Sequence, residues 1–149
     1  MRRLYRPALT PGKFKMIDHQ AALIYAMVIA SAADSNMTDA ELARISEIVS
    51  LLPAFRSFDL DRLPKITNDC AALLSDEDGL EEAFGQMREA LPDRLRETAY
   101  ALACDVVAAD GTAVQEELRL LEIMRDSLDI DRLNAAAIER GAAARFAVP

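Results

Sequence analysis

Apolar residues recur along this chain every three to four positions, and no segment alternates with a period of two, so the pattern predicts an all-α fold without strands. The first helix, about His19 to Ala33, is apolar nearly all round, as a helix at the centre of a bundle must be. Thr38 opens a Thr-x-x-Glu capping box with Glu41, ahead of Leu42, Ile45, Val49 and Leu52 on one face of a second helix that Pro53 ends. Phe55 and Phe58 anchor the connection that follows. Asp61 is the expected cap of a third helix, with Pro64 in its first turn and Leu63, Ile66, Cys70 and Leu73 as its stripe. Ser75 and Asp76 signal a fourth, carrying Leu80, Ala83, Phe84, Met87 and Leu91 and closed by Pro92. Leu95, Ala99, Leu102, Val106 and Ala109 define a fifth, the second central helix. Leu118, Leu121, Met124 and Leu128 place a sixth after the turn at Asp110-Gly111, and Asp131 starts an Ala-rich seventh ending near Arg145.

Residues 1–15 lack this periodicity and carry Pro7, Pro11 and Gly12, so they read as a flexible arm preceding one domain over residues 16–149. A chain of 149 residues can bury a real core as one cooperative unit. The arm also changes the charge picture. Arg2, Arg3, Arg6, Lys13 and Lys15 are its only charged side chains, which leaves a body with 12 basic and 25 acidic residues, a net charge of -13. Such a body repels nucleic acid and suits cations or basic partners. The arm itself reads either as a tail or as an electrostatic attachment to anionic lipid or to a second copy of the chain.

The basic start, the apolar stretch from Ala21 and the small residues Ala30-Ser31-Ala32 resemble a secretory signal only superficially, because Asp18, His19 and Gln20 interrupt them. The stretch is also shorter than the roughly 20 residues that span a bilayer. A cytoplasmic protein without an integral membrane segment is expected. Cys70 and Cys104 sit in apolar helical patterns without zinc spacing, and the single histidine, His19, falls at a helix start without partners.

Shifting the chain by 76 positions superposes Ala32-Ala33-Asp34 on Ala108-Ala109-Asp110, Glu41-Leu42 on Glu117-Leu118, and Leu52 on Leu128. In both halves an apolar helix ends in Ala-Ala-Asp, a polar turn follows, and a Glu stands seven residues after the Asp. The two segments, Asp34-Ser35-Asn36-Met37-Thr38-Asp39-Ala40-Glu41 and Asp110-Gly111-Thr112-Ala113-Val114-Gln115-Glu116-Glu117, resemble the Asp-Gly-x-x-x-x-x-Glu hinges of the TerB-like tellurite-resistance family, with Ser35 replacing the glycine in the first. The resemblance extends over roughly residues 18–130 and includes Leu91-Pro92 before the fifth helix. It implies a compact array of about seven helices with internal pseudo-twofold symmetry, and a role around tellurite resistance and general stress. A similar domain precedes the J-domain of a membrane-anchored co-chaperone.

The hinge acids admit two readings. Asp34, Glu41, Asp110 and Glu117, joined by Asp39 and Glu116, can offer oxygen ligands to a hard divalent cation such as Ca²⁺ or Mg²⁺. Equally, Glu41 is explained as a capping-box member, and acids in a first helical turn are favoured by the helix dipole. Neither hinge is an EF-hand: counting the Asp as position 1, position 12 is Ile45 in one and Leu121 in the other, where that motif needs Glu. The chain has no Gly-rich phosphate loop, no Ser or Cys nucleophile beside a base and no metal-ligand His spacing, so no enzymatic activity is expected. The expectation is a non-enzymatic module with cation-binding hinges; the alternative is a metal-free protein-interaction domain of co-chaperone type.

Overall fold

A helix with no polar face must be surrounded by others. That is the position of α1 (His19–Ser31), whose residues Ala21 to Ser31 are all buried. The computed structural model describes residues 16–31, 37–111 and 113–149; the basic arm over 1–15 and Asp34 and Ser35 of the first hinge lie outside the described residues. Among those described there are seven α-helices and no strand. After α1 come α2 (Asp39–Leu51), α3 (Leu63–Leu74), α4 (Gly79–Ala90), α5 (Asp93–Ala109), α6 (Gln115–Ser127) and α7 (Arg132–Arg145), with 3₁₀ turns at Pro53–Phe55 and Leu60–Arg62.

Helix α1 packs most extensively on α5, the other largely apolar helix, and also meets α2, α3, α4 and α6; α5 in turn carries α6 and α7 on its other sides. Leu23, Ile24, Met27 and Ile29 of α1 are at most 1% exposed. Burying each such side chain contributes about 1.5–3 kcal/mol relative to leaving it in water. The outer helices bury narrower stripes: Leu63, Ile66, Thr67 and Cys70 on α3, Phe84 and Met87 among others on α4, and only Met124 on α6. Phe55 is buried and meets Phe58 edge to face at 5.7 Å, while the Arg62 guanidinium lies over the Phe58 ring at 5.1 Å, so the two aromatics do anchor the link from α2 to α3.

Two helix starts differ from the sequence expectation. Asp59, not Asp61, supplies the cap before α3: its Oδ1 accepts from the Asp61 N–H at 3.0 Å and opens the 3₁₀ turn that runs into α3. Ser75 ends α3 instead of starting α4, its hydroxyl donating to the Ala72 carbonyl at 2.7 Å. Helix α4 begins only at Gly79, where a Cβ would come within 1.6 Å of the Leu73 carbonyl oxygen, so a close approach to the end of α3 admits glycine alone. At the other end of α4, Arg96 donates to the Leu91 carbonyl at 3.0 Å and the Arg88 carbonyl at 2.9 Å, satisfying acceptors that the turn at Leu91-Pro92 would strand. Asp131 caps α7 as expected, accepting from Leu133 and Asn134.

Helix α1 is capped by Asp18, whose Oδ1 accepts from the Ala21 N–H at 2.8 Å. Burial raises the pKa of this carboxyl, but the Ala21 hydrogen bond and the Arg62 guanidinium, 3.1 Å from Oδ2, outweigh it and hold the group below the usual range. A depressed folded pKa means stabilisation that is present above the unfolded pKa of about 3.9 and lost as pH falls through the folded one. Asp18→Ala is therefore expected to lower stability by about 1 kcal/mol near neutral pH, most of it from the cap, since the ion pair is exposed. The deficit should shrink in denaturant unfolding at about pH 3; a deficit independent of pH would assign the loss to packing.

Candidate metal centre between the hinges

Both hinges turn into their second helix in the same way. At the first, Thr38 Oγ1 accepts from the Glu41 N–H at 3.1 Å and Glu41 Oε1 accepts from the Thr38 N–H at 2.8 Å, the full capping box. At the second, Val114 stands where Thr38 stands in the first, and it has no side-chain acceptor; only the return half remains, Glu117 Oε1 accepting from the Val114 N–H at 3.0 Å. The second turn passes through Gly111 at φ +86°, the left-handed region that favours glycine.

The ends of α1 and α5 and the starts of α2 and α6 enclose a cavity of about 240 Å³. Glu41, Asp110 and Glu117 line it together with Ser31, Thr38 and Arg44. Three of the acids expected from the sequence are thus brought to one place from segments far apart in the chain. Asp39 and Glu116 occupy exposed first-turn positions and do not line the cavity, and Asp34 lies outside the described residues. Each glutamate commits Oε1 to a helix start and leaves Oε2 without a hydrogen-bond partner among the described residues. Arg44 makes no ion pair among them, so three carboxylates face one guanidinium. Among the described residues, no three Asp, Glu, His or Cys side chains converge closely enough to hold a metal ion by themselves.

Ser31 was not legible as a site residue. It is the last residue of α1, 4% exposed, and its Oγ has no hydrogen-bond partner. A buried hydroxyl left in that state costs about 1–3 kcal/mol.

A second cavity, of about 380 Å³, opens between α5, α6 and α7. Its floor includes Cys104 and Val107, and the Tyr100 hydroxyl donates to Glu139 Oε2 at 2.5 Å while Arg125 approaches the same oxygen at 3.4 Å. Residues from three helices form this cluster, so no short motif announces it. Burial pushes the Cys104 thiol up to about 12, and the Cys70 thiol likewise, which keeps both protonated and unreactive. His19, the first residue of α1, is exposed.

Among the described residues, no helix is long and apolar enough to cross a membrane. Comparison with curated proteins and with solved structures yields no match. The family model described as tellurite resistance protein TerB matches residues 20–140, from the first turn of α1 to within α7, and so takes in both hinges and the cavity between them. With the all-helical fold and the two Asp-to-Glu hinges in place, the chain belongs to the TerB family.

Proposed function

We propose that this domain is a non-enzymatic module of the tellurite-resistance and stress type that holds a hard divalent cation, Ca²⁺ or Mg²⁺, between its two hinges. One observation carries the reading: Glu41, Asp110 and Glu117, drawn from both halves of the chain, line a single cavity whose positive complement is Arg44 alone. Hard cations select clustered carboxylate oxygens, and the two glutamates each have one oxygen uncommitted. Asp34, equivalent to Asp110 by the 76-residue shift, is the fourth expected ligand. Asp39 and Glu116 add negative field at the helix starts without lining the cavity. Since the acids do not converge by themselves, binding must draw them together, and the cation then acts as a clasp between the two hinges.

The alternative, a metal-free interaction domain of co-chaperone type, is supported by Val114 and Leu118, about half exposed, beside the cavity on α5 to α7. Calorimetric titration of the chelator-stripped full chain with Ca²⁺, Mg²⁺ and Mn²⁺ separates the two. Saturable binding that Asp110→Asn weakens tenfold or more supports the cation, whereas no heat for any of the three ions removes it and leaves the interaction surface.

A further inference from the structure

The hydroxyls of Ser50 and Thr98 show what a helix ordinarily does with such a group. Each donates to the carbonyl four residues earlier, Ser46 at 2.9 Å and Arg94 at 3.3 Å. Ser31 sits at the end of the most deeply buried helix, with neither that bond nor another partner among the described residues, and it lines the same cavity as the hinge acids. A methyl or a hydrogen in place of this hydroxyl would leave the packing of α1 intact and no polar atom stranded, so helix formation alone gives no reason for the oxygen.

Resting on the cation reading above, we infer that Ser31 Oγ is a direct ligand of the bound ion, the neutral oxygen that closes the site from the α1 side. The three carboxylates reach the cavity from the mouths of α2, α5 and α6, all polar helix ends, and Ser31 is the only side-chain oxygen lining it from α1. A neutral hydroxyl completes coordination without adding a further negative charge to a cavity that already holds three. It also biases the site towards hard ions, because an alcohol oxygen is a poor ligand for soft ones.

Exchange of oxygen for sulfur tests this. Ser31→Cys should raise Cd²⁺ affinity at least tenfold, lower Mn²⁺ affinity, and produce a sulfur-to-cadmium charge-transfer band in the ultraviolet. The wild-type chain provides a clean baseline, since Cys70 and Cys104 are 0% and 4% exposed and cannot reach the ion in the folded protein. Ser31→Ala, which cannot clash, should weaken Mn²⁺ binding about tenfold with unchanged helicity, and it decides the matter if the Cys variant fails to fold. Asp110-dependent Mn²⁺ binding that survives Ser31→Ala unchanged, with no band from Ser31→Cys, would overturn the role of Ser31 while leaving the cation reading intact. A wild-type chain that binds no cation would overturn both. Equal loss of stability on Ser31→Ala with and without Mn²⁺, at unchanged affinity, would make the hydroxyl the partner of a structural water and also overturn the inference.

Discussion

Truncating Leu23 to alanine is expected to lower the free energy of unfolding by about 3 kcal/mol, within the 2–5 kcal/mol typical of Leu→Ala in cores. The magnitude follows from place. Leu23 is fully buried on α1, which touches five other helices, so neighbours cannot close the gap without moving elements that are themselves pinned against α5. Leu51 and Leu133 provide the comparison: both are helical leucines, both are 77% exposed, and their truncation should change stability by no more than about 0.5 kcal/mol. Urea unfolding of the three variants measures this directly. A loss below about 1 kcal/mol for Leu23→Ala would mean that α1 is not the helix around which the others condense.

That contrast was readable before any coordinates, because α1 and α5 lack a wide polar face and the rest do not. The caps Thr38 and Asp131 were readable for a similar reason: the residue that bonds the helix start is adjacent to it in sequence. The starts of α3 and α4 were not. Asp59 and Asp61 are chemically identical and two residues apart, and a 3₁₀ turn decides between them. Gly79 is selected by contact with Leu73 across a tight corner, a tertiary fact with no local signature. The site divides along the same line. The hinge acids repeat at a fixed shift and could be paired by inspection, whereas Ser31, within an apolar run, looks like any small residue, and Arg44 looks like an ordinary charge on the face of α2. The Tyr100–Glu139–Arg125 cluster depends on α7 folding back over α5 and α6, which no periodicity encodes.

Whether Glu41 and Glu117 are caps or ligands can be separated by choosing the replacement. Alanine removes the acceptor for the Thr38 and Val114 N–H groups, so Glu41→Ala and Glu117→Ala should each lose about 1 kcal/mol whether or not a cation is present. Glutamine retains an acceptor oxygen of nearly the same shape and removes only the charge. The double variant Glu41→Gln/Glu117→Gln in chelator is therefore expected to be as stable as the wild type or more so, since it discharges two of three like charges lining one cavity. Added cation reverses the order. At about 100 times its dissociation constant an ion that binds only the folded state adds about 2.7 kcal/mol, which the wild type should gain and the double variant should not. Thermal unfolding with and without Ca²⁺ or Mg²⁺ reads both comparisons in one series. If the glutamine double variant gains as much from the cation as the wild type, the two glutamates are caps alone; if it gains nothing and starts from undiminished stability, the same side chains fasten their helices with one oxygen and the ion with the other.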